Sequence, residues 1–293
     1  MISPGSLREA ILALDKYRGA VKIVAGSTDV SVSLKDGNLR EEWLLDISHL
    51  DALRYIRKSR DDTIHIGALA TYGDCIRSNV IQKNASILID DFLTLASPQI
   101  RNLATVAGNL GNASPAGDAI PPLFVLNATV NLDSLSRRRE LAVQNFFTGY
   151  RHTEREPDEL ITEVNFSPVR KGELTFFKKL GLRQANAISI ASVAFWGKLT
   201  PGPRFTDARI ALGAVAPTVI QATRAEQALI EGEFTRQRFR EISELCSLEA
   251  QPISDIRGSA DYRRRAVRQL TQLGLLELLE ELKSHRTESS SYS

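Results

Sequence analysis

Glycines, small hydroxyls, amides and one closing carboxylate crowd the stretch from Ser97 to Asp118, SPQIRNLATVAGNLGNASPAGD, a composition suited to gripping a polar ligand. Gly108, Gly111 and Gly117 allow close backbone approach or positive φ, while Thr105, Asn109, Asn112 and Ser114 offer neutral hydrogen-bonding groups. Backbone amides in such a segment can form a concave anion site. Asp118 can accept hydrogen bonds from a hydroxylated group, and Pro121 and Pro122 close the segment before the apolar run LFVLNATVNL. A second segment, KIVAGSTDV (22–30), is a β-branched apolar run that stops at Gly26 and turns through Ser27, Thr28 and Asp29. Amides and hydroxyls at the end of such a strand suit a pyrophosphate. The plainer readings are a Gly/Asn-rich surface loop for the first segment and, for the second, a strand-to-helix turn with Thr28 or Asp29 as N-cap.

Familiar catalytic and nucleotide signatures are missing. No G-x-G-x-x-G follows a strand, and no G-x-x-x-x-G-K-[ST], G-x-S-x-G, H-E-x-x-H or C-x-x-C occurs, so Rossmann, P-loop, α/β-hydrolase and zincin chemistry have no support. The two cysteines, Cys75 and Cys246, fit a reducing compartment and are too few to ligate an iron–sulfur cluster alone. The four histidines, His49, His65, His152 and His285, lack ligand-like spacing, and no metal site is expected. A net charge of +2 argues against nucleic-acid or membrane partners. The short basic runs Arg137–Arg139 and Arg263–Arg265 read as solvated faces or subunit-contact patches.

Elements must hold the two glycine turns in place. From Ser6 a helix carries Leu7, Ala10, Ile11 and Leu14 on one face; a strand ends at Ala25, and WLLDI (43–47) supplies another. TIHIGAL, ATVNL, ELAVQ and ELITEVNF read as strands, with YGDCIRSNVIQ and NASILIDDFLTLA as helices before the glycine segment. Three further β-like runs, LTFFKKL, AISIASVAFWGKL and FTDARIALGAVA, precede helices near 222–231, 235–250 and 259–283. Ser259 is the expected N-cap of the last helix, where Leu270, Leu273, Leu276, Leu279 and Leu282 repeat on a drifting face widened by Leu275 and Leu278. With 293 residues, 43% apolar and 25% charged, two ordinary domains are expected. No signal peptide or membrane-spanning run is visible, so a cytoplasmic location is expected, and the polar last ten residues should fray.

VAGSTDV (24–30) and QIRNLATVAGNLGNASPAGDAIPPL (99–123) together resemble the FAD-binding, or medium, subunit of molybdenum hydroxylases, the xanthine dehydrogenase and carbon monoxide dehydrogenase family. IHIGALATYGDCI, PDELITEVNF, FFKKLGLRQANAISIASVAF, LGAVAPTVIQATRAEQAL and DIRGSADYRRRAVRQL extend the resemblance, in family order, over nearly the whole chain. The resemblance implies an α+β protein. A PCMH-type FAD-binding domain over 1–170, with subdomains of about 1–58 and 59–170, precedes a domain over 171–283 of a three-stranded antiparallel sheet and a three-helix bundle, then a tail over 284–293.

The implied site transfers residue by residue. Ile23, Val24, Ala25, Gly26, Ser27, Thr28, Asp29 and Val30 would wrap the FAD pyrophosphate; Thr105, Ala107, Gly108, Asn109 and Ser114 would lie along the cofactor, and Asp118 would hold ribose hydroxyls or neighbouring groups. Ile161 would pack on the cofactor, and Lys179, or Lys178 in its place, would sit beside the isoalloxazine and stabilise charge on the reduced ring. No catalytic acid, base or nucleophile is implied. Partner subunits would carry molybdopterin and [2Fe–2S] clusters, with electrons passing through FAD to an acceptor such as NAD. The loop GLRQANA (181–187), with Arg183 its only charge, would favour an anionic acceptor. Two departures from the family pattern stand out: Ser27 replaces the second glycine of A-G-G, and Ala107 replaces a glycine, at a cost of about 1 kcal/mol if that position needs positive φ. The competing readings are a stand-alone PCMH-type flavin oxidoreductase and a flavin-free assembly subunit.

Overall fold

The computed structural model describes residues 1–183, 187–200, 202 and 204–290, with side chains through 284. In chain order the first elements are α1 (Leu7–Tyr17), β1 (Val21–Val24), α2 (Val30–Lys35), β2 (Trp43–Asp46), β3 (Ile56–Lys58) and β4 (Ile64–Gly67). Five short helices follow: α3 (Tyr72–Arg77), α4 (Asn79–Asn84), α5 (Ser86–Thr94), α6 (Pro98–Arg101) and α7 (Val106–Asn112). After α8 (Ile120–Val125) come β5 (Thr129–Asp133), β6 (Arg138–Ala142), α9 (Val143–Phe146), β7 (Phe147–Gly149), β8 (His152–Thr153) and β9 (Leu160–Phe166). The chain forms two units, Met1–Ser114 with Leu126–Pro168, and Pro115–Val125 with the residues from Val169 onward.

Within the first unit, the predicted face of α1 is the buried one: Ser6 caps the helix by accepting from the Glu9 amide, and Ala10, Ile11 and Leu14 point inward. β1 pairs with β2 in parallel register, Val24 opposite Asp46. A separate antiparallel sheet has the order β3-β4-β9-β5-β6. Its central strand β9 is buried along its whole length, so Glu163 and Asn165 are enclosed on one face as fully as Val164 and Phe166 are on the other.

Most polar groups enclosed this way are partnered, and the carboxylates here are. Glu163 accepts hydrogen bonds from Tyr55 Oη (2.6 Å) and Asn131 Nδ2 (3.0 Å), and Glu159 accepts from Arg139 Nε (2.7 Å) and Nη2 (2.8 Å). The Arg137–Arg139 run is thus partly structural, since Arg137 also pairs with Glu159 at 3.1 Å.

In the second unit β10 (Glu173–Gly181), β11 (Ser189–Leu199), β12 (Phe205–Gly213) and the two-residue β13 (Ile220–Gln221) form an antiparallel sheet in that order, one short edge strand more than the sequence predicts. α10 (Thr223–Glu231), α11 (Arg236–Glu249) and α12 (Ala260–Ser290) complete it. Phe176, Phe195, Phe205, Phe234 and Phe239 pack as a continuous chain of rings in this core. Ser259 caps α12 through the Tyr262 amide, as expected. Leu275 and Leu278 are the fully buried leucines of α12; the every-third-residue series lies at the margin of the core, with Leu273 48% exposed.

Candidate functional site

The two glycine turns meet in the first unit. A Cβ built on Gly26 would overlap the Leu103 carbonyl, so only glycine admits the backbone of the 103–104 segment at this point. Ser27 adopts φ +59, the left-handed conformation that glycine takes at least cost, and its Oγ lies 2.8 Å from Ser31 Oγ. The backbone requirement that Ser27 has to meet is therefore real. Ala107 differs: it sits inside α7, 5% exposed and outside the positive-φ residues, so the strain foreseen for it is absent.

Asp29 is the N-cap residue of α2, but its side chain makes no capping bond; Oδ1 instead accepts from Asn112 Nδ2 at 2.8 Å. Asn112 Oδ1 in turn accepts from Arg151 Nη1 at 3.1 Å. Thr105 caps α7 by accepting from the Gly108 amide at 3.0 Å, and Thr105 also bridges Thr71, the capping residue of α3. Arg101 Nη1 donates to the carbonyls of Leu93, Leu95 and Ala96 at 2.9–3.2 Å, tying the start of the segment to the C-terminal end of α5. Asn109 Oδ1 is buried and has no hydrogen-bond partner among the described residues.

Ile23, Val24, Ala25, Thr28 and Val30 are half-buried along β1 and the turn, and a Cβ on Gly111 would stand 3.5 Å from Ile161 Cδ1. Residues 26–29, 103–112 and Ile161 thus occupy one neighbourhood of the first unit, lined by backbone, small side chains and an unsatisfied amide oxygen. Such a surface admits a polar ligand at close range. Ser114, the last residue of this part of the unit, is half-buried.

The second unit holds a different cluster. Lys179 Nζ donates to Asp118 Oδ2 at 2.5 Å, and both side chains are 7% exposed. Ser189 Oγ donates to the other oxygen, Asp118 Oδ1. A buried ion pair holds only when its remaining lone pairs are occupied, and Ser189 does this. Lys178, one residue away and on the opposite face of β10, pairs with Glu277 of α12 at 2.5 Å. Of the loop 181–187, Gln184–Asn186 lie outside the described residues.

Ser189 and Arg151 escape the sequence reading as site-forming residues. Ser189 lies in a strand-like run where a hydroxyl signals nothing, and Arg151 acts from the β7–β8 turn, far from either glycine segment in sequence.

Comparison with known proteins bears on what this neighbourhood does. Residues 1–168 match the family described as FAD binding domain in molybdopterin dehydrogenase, and 175–278 match CO dehydrogenase flavoprotein C-terminal domain. The glyceraldehyde dehydrogenase medium chain of Sulfolobus acidocaldarius is 32% identical over 93% of this chain and 95% of its own. The xanthine dehydrogenase FAD-binding subunit of Escherichia coli O157:H7 is 31% identical over 86% of each. Among solved structures, carbon monoxide dehydrogenase from Hydrogenophaga pseudoflava superposes with a TM-score of 0.90 at 28% identity, over 94% of both chains. Quinoline 2-oxidoreductase from Pseudomonas putida 86 gives 0.87 at 26% identity, again over 94% of both. The chain belongs to the family of FAD-binding medium subunits of the molybdenum hydroxylases.

Proposed function

We propose that the first unit holds FAD with residues Ile23–Val30, Thr105, Ala107–Asn109, Ser114 and Ile161, in the service of an oxidoreductase complex. The observation that carries this reading is the meeting of the two turns at Gly26 and Leu103, beside a buried Asn109 Oδ1 that lacks a partner among the described residues. A dinucleotide needs backbone at close range and polar groups left unused by the protein, and these residues supply both. FAD supplies reversible two-electron chemistry when bound. The chain's own contribution is to bind and orient. Gly26 lets the turns approach, Ser27 and Thr28 offer hydroxyls, Asn109 offers an acceptor, and Ile161 offers an apolar surface. For Asp118 and Lys179, the family resemblance and their chemistry support roles toward the same cofactor.

The finer reading is that a [2Fe–2S] partner subunit delivers electrons originating at a molybdopterin-bearing large subunit, and that an anionic acceptor such as NAD receives them. The names of the relatives as medium chains and FAD-binding subunits support a heteromeric assembly. Both cysteines are buried free thiols, which supports a reducing, cytoplasmic setting for that assembly. Among the described residues no helix is long and apolar enough to cross a membrane. The purified chain should be yellow and should co-purify with molybdenum and iron–sulfur subunits; a colourless chain at saturating FAD overturns the cofactor reading. Arg183→Glu should slow NAD reduction by the complex, and unchanged kinetics would remove Arg183 as the guide for an anionic acceptor.

A further inference from the structure

The motif DIRGSADYRRRAVRQL contributes one side chain that the cofactor reading leaves unexplained. Arg263 stands in the first turn of α12, where a cation opposes the helix dipole, yet it is 4% exposed. Its Nη1 donates to two carbonyl oxygens, Ile190 at 2.7 Å and Ala214 at 2.9 Å, and Nη2 donates to Asp255 Oδ1 at 2.7 Å. The two carbonyls belong to neighbouring strand ends, since β11 begins at Ser189, β12 finishes at Gly213, and Ser192 pairs with Gly213.

Each strand end then touches the segment that carries Asp118. Ser189, the neighbour of Ile190, donates its hydroxyl to Asp118, and the Ala214 amide donates to the Pro115 carbonyl at 2.9 Å. Ala214 holds φ +60, a conformation that alanine keeps only where surroundings enforce it. Gly213 leaves room beside it for Pro121, whose Cγ would be 2.8 Å from a Cβ at that position.

We propose that Arg263 is a positioning residue for the Asp118–Lys179 pair, pinning the two strand ends from which the Pro115–Val125 segment hangs. A guanidinium suits the task because its rigid fork can serve two carbonyls and a carboxylate at once; an ammonium at the same place cannot span them. The consequence for flavin rests on the function proposed above, whereas the positioning itself does not.

The test is per-residue acetylation by acetic anhydride on the full, FAD-free chain, read by mass spectrometry. In wild type, Lys179 should be protected because Asp118 holds its ammonium. Asp118→Asn should raise its labelling at least fivefold. Arg263→Lys should raise Lys179 labelling by a similar factor while Lys178, on the other face of β10, and Lys198 keep their wild-type rates. A merely structural loosening would raise all three together and overturn the proposal, as would continued protection of Lys179 in a folded Arg263→Lys chain. If Arg263→Lys does not fold, Asp255→Ala removes the tether at Nη2, along with the Asp255 contacts to Arg257, and leaves both carbonyl bonds of Arg263 in place. A selective rise of about twofold at Lys179 supports the proposal there, and none refutes it. The flavin midpoint potential of the loaded complex reports separately: a shift shared by Asp118→Asn and Arg263→Lys supports the role of Lys179 toward FAD, and an unshifted potential retires that role while the labelling result stands.

Discussion

Asn112 Nδ2 donates to Asp29 Oδ1 at 2.8 Å across 83 positions of sequence, and it joins the two glycine turns directly. Arg151 fixes the orientation of that amide by donating to Asn112 Oδ1. Asn112→Asp would set a second carboxylate against Asp29 and remove the donor. Because Asp29 is exposed, screening limits the loss to about 1 kcal/mol, roughly fivefold in affinity. Fluorescence titration of the FAD-free chain with FAD should show that weakening, and wild-type affinity would mean that the brace does not shape the cofactor surface.

Gly26 and Ser27 make a paired prediction about backbone. Gly26→Ala drives a methyl into the Leu103 carbonyl, so the turns must separate; destabilisation of about 2–3 kcal/mol and loss of bound FAD are expected. Ser27→Val places a β-branched residue at φ +59 and should cost about 2 kcal/mol. Ser27→Gly should leave stability within about 1 kcal/mol of wild type, because relief of the left-handed strain offsets the added freedom of the unfolded chain and the loss of the Ser31 contact. Thermal unfolding with flavin content per chain checks all three.

That pair also marks how far sequence alone reaches. Gly26 is recognisable because a glycine that closes a β-branched run marks the point where the strand must turn, and α1 because its apolar spacing has a single reading. Ala107 and Ser27 look like equivalent departures in the sequence, yet one lies in a helix and the other in the left-handed region. Nothing local to either residue separates them, since the turn through Gly26 packs against a segment some 75 positions away. The Asp118–Ser189 contact is invisible for the same reason. Residue types announce what a side chain can do, whereas tertiary register decides what it meets, and β10, β11 and the segment before α8 acquire their register only in the fold.

The Asp118–Lys179 pair predicts strong non-additivity. Lys179→Met leaves a buried carboxylate that keeps the Ser189 donor but loses its cation, and Asp118→Asn removes the carboxylate facing the ammonium; each should cost about 3 kcal/mol. The double variant removes both charges of the pair, and its cost should fall below the sum of the two by at least about 1 kcal/mol. Denaturant unfolding of the four chains measures the coupling, and additive costs would show that the two charges do not stabilise one another.

Glu163 gives the first unit a defined pH response. Burial works to raise its carboxyl, but hydrogen bonds from Tyr55 and His65 and the nearby Arg57 outweigh it and hold the group below the usual carboxylate range. A carboxyl depressed in the folded state contributes stability that is present above its unfolded value of about 4.3 and is lost as pH falls through the folded value. Glu163→Gln should therefore be less stable than wild type at neutral pH by about 1–2 kcal/mol, with the gap closing on acidification below about pH 4. The opposite sign applies to Tyr55. Its phenol is pushed up to about 12, by burial first and then by the Glu163 carboxylate. In an ultraviolet titration of the folded chain, Tyr55 should ionise above the ordinary tyrosine value of about 10, and Glu163→Gln should bring it back toward that value. A stability gap between wild type and Glu163→Gln that stays constant from pH 7 to pH 3 would show that the network does not depend on the charge of Glu163.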